Sequence, residues 1–316
     1  MDLTAFSEKI EAIRQESQKA LVGQSKMLDL LLTALFSKGH VLIEGVPGVA
    51  KTLTAKLMAQ MVDTEFKRIQ FTPDLMPSDI IGNSIFNLKK QEFEYRKGPI
   101  FANIVLIDEI NRAPAKTQAA LFEVMEEKQI TNDGQTYPLD EPFMVVATQN
   151  PIEQEGTYRL PEAQLDRFLF KINVDYPSQT EEERILQLVN GHADFKALAF
   201  IESILTSQEI LSAYDLVREV LVKDELVSYI TKLVNETRTD ATLFLGASPR
   251  ASIDLMTSSK AFAAINNREF VTPEDIQFLF KPVIEHRVQL TPEAELQGIT
   301  LQEVSQQIIE RVEVPK

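Results

Sequence analysis

The sequence predicts an α/β chain: a parallel sheet flanked by helices, followed by an all-helical remainder. Three observations carry that prediction. Short β-branched runs alternate with helical patterns up to about residue 176, the mark of parallel strands covered on both faces. After Tyr176-Pro177 the strand signal fades and amphipathic helical periodicity takes over. The first strong strand also runs directly into a glycine-containing loop that opens a helix.

Taken in order, the opening stretch MDLTAFSEKIEAIRQESQKALVGQ reads as one charged amphipathic helix with no signal-peptide core. VLIEG (41–45) reads as a buried strand, 51–62 as a helix and 66–71 as a second strand. NIVLID (103–108), FMVVATQ (143–149) and FLFKINV (168–174) supply three more strands, with helices near 114–127 and 161–167. Residues 83–97 and 129–140 read as hairpin insertions, the second turning at Asp133-Gly134. Residues 179–190, 207–221, 223–238, 249–267 and 273–286 read as amphipathic helices, and the stripes Ile253, Leu255, Met256, Phe262 and Ile276, Leu279, Phe280, Val283 as their core faces. We therefore expect an α/β core over 1–177 and a helical domain over 178–316.

Composition narrows the function. At 316 residues, 44% hydrophobic and 25% charged, the chain can bury a sizeable core. Its net charge of −15 disfavours nucleic acid as a main partner. The absence of cysteine removes disulfides, thiolate metal sites and cysteine nucleophiles. No apolar run reaches the ~18 residues of a membrane span, so a cytoplasmic protein is expected. His40, His192 and His286 are scattered without metal-ligand spacing and read as structural or solvent-facing.

GVPGVAKT (45–52) matches the phosphate-loop pattern except that Ala50 replaces its last glycine. Such a loop aims backbone N–H groups at phosphate oxygens, and the helix N-terminus adds its dipole. Lys51 would reach the β- and γ-phosphates, and Thr52 would offer a hydroxyl to Mg²⁺. A second argument does not use the motif. A lysine at a helix N-terminus opposes the macrodipole, and a bound anion would remove the conflict.

IVLIDE (104–109) delivers Asp108 and Glu109 at the carboxyl end of a buried strand, where open α/β sheets bind ligands. Asp108 would hold Mg²⁺ and Glu109 would polarise the attacking water. The strand 143–149 ends in Gln149-Asn150-Pro151. An amide there can hold a water or a phosphate, or the segment can simply turn. Arg250 follows Ser248-Pro249, read as N-cap and first helical residue, so it too is a cation at the positive end of a dipole. Arg167 has a plain reading as a surface partner of Asp166 or Glu162.

GVPGVAKT, LIDEINRAP (106–114), ATQNP (147–151) and LPEAQLDRF (160–168) together resemble the MoxR family of AAA+ ATPases. The resemblance spans nearly the whole chain, and Ala50 is the family's own form of the loop. It implies an ATPase core with an α-helical lid, using ATP and Mg²⁺. It implies Walker A over Gly45, Val46, Pro47, Gly48, Val49, Ala50, Lys51 and Thr52, with Leu53 beside them. It implies Walker B at Asp108 and Glu109, sensor 1 at Asn150, an arginine finger at Arg167 and sensor 2 at Arg250. Val22, Gly23 and Gln24 resemble the segment lying against adenine. Whether Arg250 meets the ATP of its own chain or of a neighbour stays open. So does Arg112, which could contact a neighbour or pair with Glu109.

The family further implies a homo-oligomeric ring, expected as a hexamer. Its expected work is chaperone-like remodelling or maturation of protein complexes, including metal or cofactor insertion, with von Willebrand factor A domain partners. Two other readings stand beside it: a magnesium-chelatase-like or helicase-related motor, and a nucleotide-gated binding switch with little turnover. Lys89-Lys90 and Arg96-Lys97 in the first hairpin would suit a basic pore rim or a solvated face.

Overall fold

The computed structural model describes residues 1–151, 157–190 and 201–315; His192 lies outside them. α1 (Leu3–Ser17) is capped by Asp2, whose side chain accepts from the Ala5 N–H at 2.8 Å. α2 (Ser25–Phe36) follows β-free chain through Gly23, which has φ +74°. The expected single N-terminal helix over 1–24 is thus corrected to a helix that stops at Ser17, followed by an unanticipated second one. The second was passed over although Lys26, Asp29 and Thr33 recur at helical spacing among its apolar residues.

β1 (Val41–Gly45), α3 (Lys51–Met61), β2 (Phe66–Gln70) and the short α4 (Pro77–Ile81) come next. β3 (Gly82–Asn87) and β4 (Glu92–Lys97) form the first hairpin. After β5 (Ile104–Asp108) and α5 (Ala115–Glu127), β6 (Gln129–Asn132) and β7 (Gln135–Pro138) form the second. The two hairpins touch. Tyr95 stacks on Tyr137 at 4.3 Å, and Asn132 Nδ2 donates to Ser84 Oγ at 2.8 Å. β8 (Met144–Gln149), the one-turn α6 (Glu162–Leu165) and β9 (Phe170–Val174) complete the first part.

The helical remainder holds α7 (Gln179–Asn190), α8 (Ser207–Glu219), α9 (Asp224–Thr239), α10 (Pro249–Ile265) and α11 (Pro273–Ile284). Two short strands, β10 (Leu243–Leu245) and β11 (Gln289–Leu290), pair antiparallel, and α12 (Pro292–Leu296) and α13 (Leu301–Arg311) follow. α8 stops short of the expected residue 221 because Leu221 leaves the helix to bridge Phe270.

The main sheet has the order β2-β5-β8-β1-β9, parallel throughout. Alternate residues enter opposite cores, as the strand period of two demands. Val41, Ile43, Ile104, Leu106, Met144 and Val146 face α1 to α3 and the helical remainder. Leu42, Val105, Ile107, Val145 and Ala147 face α5. The first of these clusters is continuous across residue 177, because α1 and α2 pack against α8 and α10.

His40 ties strand to helix at the amino edge of the sheet. Its Nδ1 accepts from the Val145 N–H at 2.9 Å, which leaves Nε2 to donate to Met125 O at 3.2 Å. Burial pushes its pKa down from 6.5 to about 4. The folded state holds this ring neutral while the unfolded chain protonates it, so stability should fall as pH drops from 6.5 toward 4. The loss reaches about 3 kcal/mol at full protonation. Urea unfolding at pH 7 and pH 5 should show the drop in wild type and a smaller one in His40→Gln. Equal slopes in the two proteins would contradict this role.

Candidate functional site

All five strands of the sheet run the same way, so Gln70, Asp108, Gln149, Gly45 and Val174 end on one edge. β1 sits between β8 and β9 and feeds the loop 46–50 into α3. Only glycine fits at 45: a Cβ there would lie 2.6 Å from Val174 O. Gly48 and Ala50 both have left-handed backbone (φ +89° and +62°), and a Cβ on Gly48 would meet nothing within 4 Å. Left-handed residues alternating with ordinary ones turn successive amides to one side, the geometry of an anion nest. Pro47 and Gly48 are exposed, Val46 is half-buried, and Val49 anchors the loop in the core.

Lys51 opens α3, half-buried, with its ammonium turned back onto the Gly45 and Val46 carbonyls. Burial pushes its pKa down, while the carboxylates of Asp108, Glu109 and Glu44 pull it up. A partly desolvated cation at the positive end of a helix is a site built for an anion.

Asp108 is buried at the end of β5. Its Oδ1 accepts from Thr148 Oγ1 at 3.1 Å and from Thr52 Oγ1 at 3.4 Å, and its Oδ2 meets Arg68 Nε at 2.5 Å. Glu109 adopts φ +57°, unusual outside glycine, with its N–H bonded to Thr148 Oγ1 at 3.0 Å. Its Oε2 accepts from Gln70 Nε2 and Arg112 Nε, both at 2.9 Å. Arg112 therefore takes the pairing reading within one chain. Asn150 is buried just past β8.

Thr52 and Asp108 form a hard-oxygen pair. Among the described residues no group of three His, Cys, Asp or Glu could hold a metal. That donor set fits Mg²⁺, which typically takes one or two carboxylates and fills its shell with water and phosphate oxygens. Beside Gly45, a cavity of about 360 Å³ is lined by Gly23, Gln24, Met27, Val174, Tyr176 and Pro282 among others. Val22 adjoins it half-buried, and Leu53 packs on the core from the first turn of α3.

The two other arginines lie elsewhere. Arg167 precedes β9 by three residues and donates to Phe122 O on α5. Arg250 is the second residue of α10, as its spacing predicts, and meets Glu126 Oε2 at 3.2 and 3.3 Å. Phe122 and Glu126 are one turn apart on α5, beside the Met125 carbonyl held by His40 at the start of β1. Both arginines thus sit at the amino edge. Five residues of strand separate that edge from the loop at 45–52, about 16 Å at 3.3 Å per residue. An arginine side chain is shorter than that, so neither reaches the carboxyl-edge cluster of its own chain.

Sequence reasoning missed Arg68, Gln70 and Thr148. Arg68 and Gln70 alternate with buried Ile69 on β2, so the period of two put them on one face, but only the strand order puts that face beside Asp108.

Comparison with known proteins decides the family. The family model for "ATPase family associated with various cellular activities (AAA)" matches residues 40–170, and one for the AAA lid domain matches 235–311. The chaperone MoxR1 of Mycobacterium tuberculosis is 42% identical over 99% of this chain and 84% of its own. The chain belongs to the MoxR family of AAA+ ATPases. A second relative, the uncharacterized protein YeaC of Bacillus subtilis, is 47% identical over 94% of this chain and 92% of its own. A crystal structure of a candidate ATPase from Cytophaga hutchinsonii superposes with a TM-score of 0.91 at 42% identity, over 99% of this chain and 97% of that one. The sheet, its flanking helices and the helical C-terminal lid are those of the AAA+ fold, and MoxR membership carries nucleotide binding with it. No described helix is long and apolar enough to cross a membrane.

Proposed function

We propose that this MoxR protein is an Mg²⁺-dependent ATPase whose sites are completed between neighbouring copies in a ring, expected as a hexamer. The division into a core over 1–177 and a lid over 178–316 belongs to the same reading. The observation that carries it is the separation of charges. The phosphate loop, Asp108, Glu109 and Asn150 share one sheet edge, while Arg167 and Arg250 share the opposite one. A head-to-tail arrangement brings one edge of each copy against the other edge of the next.

In this reading Lys51 leaves the Gly45 and Val46 carbonyls for the β- and γ-phosphates, and the amides of 46–52 cradle their oxygens. Thr52 and Asp108 would hold Mg²⁺, which would neutralise phosphate charge. Arg68, paired with Asp108 in the structure, would have to release that carboxylate for it to act as a ligand. Gln70 and Arg112 release Glu109, which then orients the attacking water and accepts its proton. Asn150 steadies that water through its amide without adding charge. Arg167 and Arg250 of the neighbouring copy stabilise the charge that develops as the γ-phosphoryl leaves. Gly23 and Gln24 line the cavity that would take adenine, and Val22 adjoins it.

Hydrolysis would drive chaperone-like remodelling or maturation of a protein complex, including metal or cofactor insertion. The name of the Mycobacterium tuberculosis relative, a chaperone, supports this work. A von Willebrand factor A domain protein is the client class we expect. A nucleic-acid motor draws less support, because Lys90 of the first hairpin is paired with Glu94 and the chain is acidic.

Specific ATPase activity should rise with protein concentration and then level off, and it should need Mg²⁺. Activity independent of protein concentration would contradict a shared site. Strong stimulation by single-stranded DNA would favour the motor instead.

A further inference from the structure

We propose that Arg287 is a positioning residue that locks the core turn carrying Arg167 and the lid helix carrying Arg250 into one unit. The inference rests on the reading of both arginines as acting on a neighbour's site. Arg287 lies between α11 and β11, and its side chain is only 1% exposed. Its Nη2 donates to Phe168 O at 2.8 Å and to Asp166 O at 3.2 Å, so it grips the chain on both sides of Arg167. The same nitrogen meets Asp254 Oδ2 at 2.5 Å, one helical turn beyond Arg250 on α10. Its Nε lies 2.9 Å from Asp166 Oδ1, an ion-pair contact without hydrogen-bond geometry.

Two neighbours reinforce the link. His286 Nε2 lies 2.9 Å from Phe168 O. Ser248 stands at the N-cap of α10, yet its hydroxyl makes no capping bond to the helix. It donates instead to the Asp166 carboxylate, at 3.2 and 3.3 Å. A helix that gives up its cap to bond across the core–lid boundary is being held at a set angle. Arg287 also leaves Nε and Nη1 buried without a hydrogen bond. Burying a charged fork this way is an inefficient route to stability, since an apolar side chain of similar volume often does as well. What it supplies is geometry: three acceptors on two domains, Asp166 O, Phe168 O and Asp254 Oδ2, converge on the one Nη2.

The test uses Arg287→Met and, should that variant fold poorly, Ser248→Ala, which removes a link without removing a cap. Each is assayed alone and mixed with Glu109→Gln protein. Alone, each should bind a fluorescent ATP analogue within about twofold of wild type while turnover falls about tenfold or more, as misplaced catalytic groups do. Mixed, activity should return, because Glu109→Gln copies present intact arginines to the intact phosphate sites of the variant. Wild-type turnover in both variants would overturn the proposal. So would loss of nucleotide binding, or no recovery on mixing while Arg167→Ala mixed with Glu109→Gln does recover. If that control mixture also stays inactive, the shared-site reading itself fails, and Arg287 with it.

Discussion

Glu109→Gln protein should bind ATP with near wild-type affinity and lose turnover by about two to four orders of magnitude, the usual worth of a general base. The amide keeps the shape of the carboxylate and can still meet Arg112 or Gln70 through one oxygen. The left-handed backbone at residue 109 and its N–H bond to Thr148 do not involve the side chain. The fold should therefore survive, with a melting point within a few degrees of wild type. Quenched-flow assay of bound nucleotide should find ATP rather than ADP. The ATP-loaded variant should also hold its client, so a pull-down with it is the direct route to that client. Hydrolysis at the wild-type rate would remove Glu109 from the mechanism.

Arg167→Ala should cost more. Arginines supplied in trans are worth about 10³ to 10⁵ in turnover in phosphoryl transfer. Within its own chain Arg167 is half-buried and bonds the Phe122 carbonyl, so its loss should lower stability by only about 1 kcal/mol. Nucleotide affinity should hold, because the residue lies at the amino edge, away from the phosphate loop. A parallel fall in affinity and turnover would place Arg167 in the site of its own chain and contradict the strand geometry.

Much of this was legible before any coordinates. The strands at 41–45, 104–108 and 144–149 announced themselves by apolar runs ending in glycine, acids or an amide. The hairpins at 82–97 and 129–138 were marked by polar alternation and turn residues. Most of what stayed hidden depended on tertiary context. α2 was overlooked although Lys26, Asp29 and Thr33 mark a helical period in it. α13 was overlooked although Thr300 and Glu303 form a capping box at its start. Ser248 reads as a helix cap, and only the docking of α10 against Asp166 diverts its hydroxyl. Arg68 and Gln70 looked like exposed strand polarity until the order β2-β5 put them against Asp108 and Glu109. The side of the molecule on which Arg250 works depends on where the lid docks, which no local pattern records.

The central claim is that each site takes its acids and phosphate loop from one copy and its arginines from the next. Mixing Arg167→Ala with Glu109→Gln tests it most directly, since each is inactive alone. In a 1:1 mixture that exchanges subunits, roughly a quarter of the head-to-tail interfaces join an intact Glu109 to an intact Arg167. The account predicts recovery of about that fraction of wild-type turnover; a mixture that exchanges subunits yet stays as inactive as its parts would contradict it.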